Sequence, residues 1–297
     1  MITPTEQRNP RTLAIDAVGT TEILRMVNEE DARVAGAVGA VIPQLAKLVD
    51  AAVEAVRAGG RVHYFGAGTS GRLAVLDAAE LLPTFHAPDD LVVAHHAGGM
   101  AALLRAVENV EDSEEGGAAD AAAVTGLDVV IGLAASGATP YVAGALRAAR
   151  VAGATTALVT SNPAAPLAEL ADIVIAADTG PEVIAGSTRL KAGTAQKLIL
   201  NSFSTTLMIK LGRTWSNLMV DMVATNNKLR GRMLRILAEA TGADADACVR
   251  ALAEADGELK PALVHLLTGS DVREARQALA DSGGQVAAAI GKLGAPA

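Results

Sequence analysis

Five short apolar runs, each followed by small or polar residues and then by a helical pattern, constrain the fold of this chain most strongly. The runs are rich in β-branched residues and span 62–65, 91–94, 129–133, 155–160 and 173–176. Buried parallel strands have this continuous apolar character, and the helices between them supply the crossovers. The pattern predicts an α/β fold in which a parallel sheet carries helices on both faces.

Segments without a strand pattern flank this region. The first ten residues are polar and predict an extended arm, and 20–58 has a helical pattern in which Pro43 marks a helix start or a kink. Trp215 and Met219 fit a helical stripe that belongs to a core. After about Thr225, short helical stretches separated by glycines predict a small helical domain. We therefore expect an N-terminal arm with helices at 1–58, the sheet domain at 59–224 and a C-terminal helical region at 225–297.

Composition excludes several classes of protein. Hydrophobic residues make up 51% of the 297, which is far from the signature of a disordered chain. The net charge of −8 and the 2% of aromatic residues argue against nucleic-acid binding. The single cysteine, Cys248, excludes an internal disulfide and a multi-cysteine metal site. No signal peptide is evident, and glycine, serine and proline interrupt the two long uncharged runs, so we expect a cytoplasmic protein without a membrane span.

Three loops that follow predicted strands have the residues of a phosphate-binding site. The first reads GAGTSG from Gly66, the second reads ASGATP from Ala135, and the third runs from Gly180 to Arg189. Glycine lets the backbone approach a ligand closely, and serine or threonine offers hydroxyls at the positive end of the next helix. In an open α/β sheet such loops share the ligand-binding edge. The candidate binding residues are Gly68, Thr69, Ser70, Ser136, Gly137, Thr139, Glu182, Ser187 and Lys191.

Each loop taken alone has a simpler explanation, because glycine and serine also serve ordinary turns and helix caps. The first loop also matches the bare dinucleotide pattern G-x-G-x-x-G, which leaves a nicotinamide enzyme as an alternative. However, no acidic residue ends the second predicted strand, where such an enzyme binds ribose. The density of hydroxyl residues favours a compact phosphate over a dinucleotide.

The order of these motifs resembles a sugar isomerase (SIS) domain, the phosphosugar-binding α/β fold. The segments TEQRNP, GAGTSGRLAVLDAAE, AVENVEDSEEGG and NLMVDMVATNNKL more specifically resemble the N-acetylmuramic acid 6-phosphate etherase family. This resemblance runs from about Thr5 to Gly242, and the helical tail also fits it. It implies a homodimeric enzyme of cell-wall amino-sugar recycling that releases D-lactate from N-acetylmuramic acid 6-phosphate without a metal or another cofactor.

The resemblance also implies two catalytic glutamates. They correspond to Glu80 in LDAAE, which we assign as the proton donor, and to Glu111 in ENVED, which we assign as the base. From spacing alone, we expect Glu80 to share a helix face with Asp77. Without the resemblance, a solvated helix face would be the better interpretation of Glu80, and a charged surface turn that of Glu111.

Two rival functions remain open at this stage. An aldose–ketose phosphosugar isomerase would share the phosphate loops and the base at C2, and a sugar-phosphate-sensing regulator similar to the glucokinase regulatory protein would have the fold without turnover. The presence of both glutamates favours the etherase. His95 and His96 are adjacent on a predicted strand and would point to opposite faces, so with His63 they predict core or strand-end roles and not a metal site.

Overall fold

A computed structural model describes residues 3–105, 107–222 and 227–294 of the chain. The chain divides into two compact units, one formed by Met1–Ala79 with Asp89–Ser204 and the other by Glu80–Pro88 with Thr205–Ala297. The division expected from the sequence, into 1–58, 59–224 and 225–297, stays a prediction. Its second boundary lies outside the described residues.

The first unit is built on a five-stranded parallel sheet with the order β2-β1-β3-β4-β5. The strands are β1 Val62–Gly66, β2 Val92–His96, β3 Val129–Leu133, β4 Thr155–Thr160 and β5 Ile173–Ala176. The predicted strands are therefore confirmed, with β3, β4 and β5 at the predicted bounds. Every residue of β1 and β3 is buried, which explains why their sequences lack polar alternation.

Helices cover both faces of this sheet, as predicted. Those that accompany the strands are α4 Gly68–Ala79, α6 Gly99–Leu104, α7 Glu114–Asp120, α8 Pro140–Ala152 and α9 Lys191–Lys210. Successive side chains of a strand point to opposite faces. Accordingly, Tyr64 reaches Asp77 on α4 with its hydroxyl, whereas Phe65 packs near Tyr141 on α8.

Small residues let α8 pack closely on the sheet and α7 pack closely on α8. A Cβ at Gly132 of β3 would lie 2.6 Å from Cγ1 of Val142 on α8, and a Cβ at Gly144 would lie 1.8 Å from the carbonyl oxygen of Glu114. Only glycine fits such approaches. They hold α7, and with it the segment that precedes α7, against α8.

The N-terminal segment differs from its prediction in two ways. The single helical pattern of 20–58 forms three helices, α1 Thr20–Asp31, α2 Val34–Gly39 and α3 Ile42–Arg57, with Pro43 in the first turn of α3. The residues before them form short 3-10 turns at Pro4–Glu6 and Ile15–Ala17 in place of an extended arm. The expectation of an extended arm is wrong because Thr5 and Asn9 are buried against the unit and are not solvated.

Within residues 80–88, 205–222 and 227–294, the second unit consists of helices and one hairpin. Its helices are α5 Leu81–Phe85, α10 Asn227–Thr241, α11 Ala245–Glu254, α12 Leu259–Thr268, α13 Val272–Ala280 and α14 Val286–Leu293. The helical assignment of Trp215 and Met219 is wrong, since β6 Thr214–Trp215 pairs antiparallel with β7 Leu218–Met219 across a Ser216-Asn217 turn. Cys248 is buried in the core of this unit, and burial raises the pKa of its thiol.

Within the described residues, none of the helices taken singly has both the length and the hydropathy to cross a membrane. Only Thr20–Gly39 and Ile42–Arg57 taken together reach these values, and they meet at a bend of 57°.

Candidate active site

The carboxyl edge of the sheet at β1 and β3 forms the first part of the candidate site. Because β1 lies between β2 and β3, the chain crosses from one side of β1 to the other after β2. Ligands of open α/β sheets bind outside the carboxyl ends of the strands at such a switch point. Helices α4 and α8 begin directly after the loops of β1 and β3. The positive N-terminal ends of two helices make this edge suitable for an anion.

The first predicted loop turns sharply from β1 into α4. Gly68 has a φ of +54° at the first position of the helix, a conformation that favours glycine. Thr69 and Ser70 follow in the first turn of α4, as the sequence predicted. Ser70 is buried, and its hydroxyl donates a 2.9 Å hydrogen bond to Oε1 of Gln196 on α9. Ser70 therefore joins the loop to a second element.

The second predicted loop turns from β3 into α8. Gly137 has a φ of +69°, and a Cβ there would lie 2.2 Å from the Cβ of Ala165, so that only glycine fits. The carbonyl of Ser136 accepts a 2.9 Å hydrogen bond from the amide of Asn162, at the end of β4. Thr139 is the N-cap of α8, but its side chain makes no capping hydrogen bond. Its hydroxyl is thus not used to cap the start of the helix.

The third predicted loop carries two buried charged residues. The carboxylate of Glu182 accepts the backbone N–H groups of Lys191 and Ala192, at 2.9 and 3.0 Å, and so caps α9. Burial raises the pKa of this carboxyl. The ammonium of Lys191 donates to Oε2 of Glu30 at 2.6 Å and to the carbonyl of Thr179 at 2.8 Å. Both side chains are engaged within the protein, and their roles in substrate binding stay predictions.

The N-terminal segment holds this third loop in place, which the sequence did not reveal. The hydroxyl of Thr12 donates to the carbonyl of Val183 at 2.8 Å, and the amide of Asn9 donates to the carbonyl of Pro181 at 3.3 Å. The carbonyl of Thr5 accepts the N–H of Gly186. Ser187, the remaining candidate of this loop, follows directly and is half-buried. Thr5, Asn9 and Thr12 of this segment therefore bond to the third loop, while the polar residues at 6–8 are exposed.

Glu111 lies at the same edge of the sheet as the second loop. Its carbonyl accepts a 3.0 Å hydrogen bond from the N–H of Tyr141, in the first turn of α8. The preceding Val110 packs beside Gly98, the residue that leads into α6. Two anchors thus fix the backbone of this segment, while the carboxylate of Glu111 is exposed. Its location beside the start of α8 is compatible with contact to a ligand held there.

Glu80 belongs to the second unit. It is exposed and occupies the N-cap position of α5, where its carbonyl accepts the N–H of Thr84 and its side chain makes no capping bond. The expected helix face shared with Asp77 is not formed, because α4 ends at Ala79, one residue before Glu80. The loop candidates and Glu111 therefore belong to the first unit, whereas Glu80 belongs to the second unit.

His95 and His96 point to opposite faces of β2, as predicted. His95 stacks on Phe65 with ring centroids 4.2 Å apart, and its Nε2 lies 3.1 Å from Nδ1 of His63. Burial lowers the pKa of His95 to about 4. His96 contacts the carbonyls of Ala97 and Gly68 on the opposite face. These contacts agree with the core and strand-end roles that the sequence predicted.

Comparison with known proteins identifies the class and then the family. Residues 44–150 match the glucokinase regulatory protein N-terminal SIS domain family, and residues 99–205 match the SIS domain family. A phosphoheptose isomerase from Francisella tularensis has the same fold, with a TM-score of 0.53 at 20% identity over 65% of this chain and 100% of the isomerase. The sheet, its edge loops and these matches define an α/β protein of the SIS class.

Full-length relatives are more specific. The chain is 62% identical over 265 residues to the N-acetylmuramic acid 6-phosphate etherase of Thermobifida fusca (strain YX), covering 89% of this chain and 87% of the relative. It is 55% identical to the etherase of Symbiobacterium thermophilum, with 89% of each chain covered, and 52% identical to that of Salmonella dublin, with 96% and 97% covered. The chain belongs to the N-acetylmuramic acid 6-phosphate etherase family, and the resemblance seen in the sequence is confirmed.

Proposed function

We propose that this enzyme cleaves the ether between D-lactate and C3 of N-acetylmuramic acid 6-phosphate, in the cytoplasm, during the breakdown of cell-wall amino sugars. The products are N-acetylglucosamine 6-phosphate and D-lactate. The observation that carries the proposal is the identity of 52–62% to etherases over most of the chain. The two helix N-termini at the carboxyl edge of the sheet support it, because they suit a phosphate.

The chemistry of the ring-opened sugar explains why two carboxyl groups are enough to cleave the lactyl ether. Water attacks an alkyl ether poorly, but opening of the sugar ring turns C1 into an aldehyde and makes the proton on C2 acidic. The lactyl oxygen on C3 is then β to the carbonyl. A base removes the C2 proton, an acid protonates the leaving oxygen, and lactate departs to give an unsaturated aldehyde. Water adds to C3 of that aldehyde and restores the hydroxyl.

We assign the removal of the C2 proton to Glu111 and the protonation of the lactyl oxygen, with handling of the added water, to Glu80. Such a pair needs one ionised and one protonated carboxyl near neutral pH. The backbone anchors of Glu111 support its assignment, because they hold it beside the start of α8. The route uses proton transfers alone and calls for no redox cofactor.

Local donors must bind the substrate, since the protein and its substrate are both anionic. A net charge of −8 makes long-range steering of a phosphate and a carboxylate unfavourable. We propose that the phosphate binds at the N-termini of α4 and α8. The loop residues that support this proposal are Gly68, Thr69, Ser70, Ser136, Gly137, Thr139 and Ser187. For Glu182 and Lys191, whose side chains bond within the protein, a role in substrate binding stays a prediction from the sequence.

A lactate-release assay on the purified protein tests the function directly. With N-acetylmuramic acid 6-phosphate, an etherase releases equimolar D-lactate and N-acetylglucosamine 6-phosphate. An isomerase would convert an aldose phosphate to a ketose and release no lactate. A regulator would bind phosphosugars without turnover, and the match of 44–150 to the glucokinase regulatory protein family makes this the alternative to test. Absence of lactate would overturn the proposal.

Removal of one hydroxyl from the second loop is expected to weaken substrate binding. Ser136→Ala or Thr139→Val removes one hydrogen bond to a charged group, which contributes about 1.5–3 kcal/mol. We therefore expect a KM raised about 10- to 100-fold with a smaller change in kcat. Ser202→Ala, at an exposed serine on α9, is the control. An unchanged KM in both loop variants would contradict the assignment of this loop.

We also propose a homodimer that uses the N-terminal helices. Leu24 on α1 and Ile42 on α3 are 63% and 58% exposed, and exposed apolar area on such helices is typical of an interface. We expect sedimentation at micromolar concentration to give a dimer, and the pair of substitutions Leu24→Asp and Ile42→Asp to shift it toward monomer. Val151→Asp, at a highly exposed valine of α8, is the matched control. A monomeric wild-type protein would rule the dimer out.

A further inference from the structure

Gln196 is a buried polar residue whose amide oxygen is hydrogen-bonded and whose amide nitrogen is not. It lies on α9 among the apolar residues Ala192, Ala195, Ile199 and Leu200, and it is 2% exposed. Its Oε1 accepts the hydrogen bond from the hydroxyl of Ser70. Its Nε2 is buried and has no hydrogen-bond partner among residues 3–105, 107–222 and 227–294. The N–H donors of this amide therefore have no acceptor among the described residues.

An unpaired amide nitrogen differs from an unpaired hydroxyl. A hydroxyl such as that of Ser161 can rotate to find a partner, whereas the amide nitrogen of Gln196 turns only together with the oxygen that Ser70 bonds. Burying N–H donors without an acceptor costs free energy, so native proteins rarely do so. Nε2 of Gln196 can therefore bond one further acceptor, which the described residues do not supply.

The location of Gln196 indicates where that acceptor binds. Helix α9 runs beside α4, and a Cβ at Gly193 would lie 3.4 Å from Cγ2 of Thr69. Ser70 is in the first turn of α4. Gln196 thus lies beside the helix N-terminus at the carboxyl edge of the sheet, where the helix dipole favours an anion.

A second polar side chain between α4 and α9 has all of its hydrogen bonds formed. Asp77, two turns further along α4, accepts hydrogen bonds from the hydroxyls of Ser204 on α9 and Tyr64 on β1, at 2.9 and 3.0 Å. Both of its oxygens are bonded, in the interior of the unit. The incomplete pair of Ser70 and Gln196 lies instead at the end of α4 that faces the loops. This contrast points to a ligand and not to a packing defect.

We propose that Gln196 is a substrate-binding residue whose amide Nε2 donates a hydrogen bond to the phosphate of the phosphosugar, with Ser70 holding the amide in the required orientation. The proposal rests on the proposed function, since it takes the phosphosugar as the ligand. It adds a donor from α9 that the strand–loop–helix pattern did not select. A polar residue in the middle of an apolar helix face was the signal present in the sequence.

Calorimetric binding of N-acetylglucosamine 6-phosphate tests the proposal without requiring turnover. Gln196→Met preserves the size of the side chain and removes the donor, so we expect the Kd to rise about 10- to 100-fold, as for a hydrogen bond to a charged group. Gln196→Glu places a carboxylate beside the phosphate, and we expect a larger loss, above about 100-fold. Thr194→Ala changes an exposed residue of the same helix, whose hydroxyl bonds to the carbonyl of Leu190, and should leave the Kd unchanged.

Three results would overturn the proposal. The first is a wild-type Kd in both Gln196 variants. The second is an equal loss for Gln196→Met and Gln196→Glu, because a carboxylate placed beside a bound phosphate must weaken binding more than removal of the donor does. The third is an unchanged Kd for this product together with a raised KM for the substrate, which would assign the bond to the lactyl carboxylate.

A structure of the wild-type protein with N-acetylglucosamine 6-phosphate keeps the proposal testable if a variant does not fold. We expect Nε2 of Gln196 within about 3.2 Å of a phosphate oxygen, and a phosphate bound elsewhere would refute the assignment. Failure of the etherase function gives a different result. In that case no lactate is released by the wild-type protein, while the effect of Gln196 on phosphosugar binding can still be measured.

Discussion

We expect Glu111→Gln to lose both lactate release and exchange of the substrate's C2 proton with solvent, and Glu80→Gln to lose lactate release while retaining slow C2 exchange. Elimination begins at C2, and removal of that proton needs only the aldehyde and the base. Loss of a general acid or base typically costs about 10²- to 10⁴-fold in rate. Deuterium uptake at C2, followed by mass spectrometry beside a lactate assay, separates the two roles.

The structure makes these substitutions suitable for the test. Glu111 and Glu80 each make their anchoring hydrogen bond through the backbone carbonyl, to the N–H groups of Tyr141 and Thr84. A glutamine side chain leaves both bonds intact, and thermal melts check that folding is preserved. Glu115→Gln, at an exposed residue in the same acidic cluster, is the matched control. Native C2 exchange in Glu111→Gln with none in Glu80→Gln would reverse the roles, and normal lactate release in both would remove the pair from the mechanism.

The sheet could be predicted from the sequence because its signal is local. Parallel strands buried on both faces appear as continuous apolar runs, and the glycines and polar residues after them mark the edge where the helices begin. Helix boundaries that no such glycine or polar residue marks cannot be predicted in this way. The 20–58 pattern breaks after Asp31 and after Gly39, and the hairpin at Trp215 has strands of two residues, too short to show a period.

The interior of the site could not be predicted because its contacts join distant parts of the chain. Lys191 and Glu30 are separated by 161 positions, and Ser70 and Gln196 by 126. No local pattern encodes such a pair. The loops were found because glycine and hydroxyl residues follow a strand. The sequence does not show that Lys191 is buried against a carboxylate or that the N-terminal segment bonds to the third loop.

Glu30 is the centre of a cluster of charges in the first unit, in which Glu30 and Lys191 are buried and Arg11 and Arg33 are exposed. It is 2% exposed, and its carboxylate accepts hydrogen bonds from the guanidinium of Arg11 and the ammonium of Lys191, with Arg33 at 3.6 Å. The hydrogen bonds from Arg11, and to a lesser extent from Lys191, lower the pKa of Glu30 to about 2 against the cost of burial. Glu30 thereby ties α1 to the start of α9 and, through Lys191, to Thr179 at the edge of β5.

Breaking this cluster is expected to destabilise the fold strongly. Glu30→Gln leaves the buried ammonium of Lys191 without its counter-charge, and removal of one member of a buried ion pair costs about 3–5 kcal/mol. The double variant Glu30→Leu with Lys191→Met removes both charges and should recover part of that loss. Urea denaturation at pH 7 measures the free energy of unfolding. Glu22→Gln, which removes an exposed ion pair with Arg25 on the same helix, should change it by about 0–1 kcal/mol.

The pH dependence gives the same cluster an independent test. A carboxyl whose pKa falls on folding contributes stability that is present above its ordinary pKa, near 4.5, and is lost as the pH falls toward its value of about 2 in the folded protein. Below about pH 2, Glu30 is mostly protonated in the folded protein and resembles the glutamine that replaces it. The difference in unfolding free energy between wild type and Glu30→Gln should therefore be about 3 kcal/mol or more at pH 7 and shrink between pH 4.5 and 2. A difference that stays constant across that range would show that Glu30 stabilises the fold by packing and not by its charge.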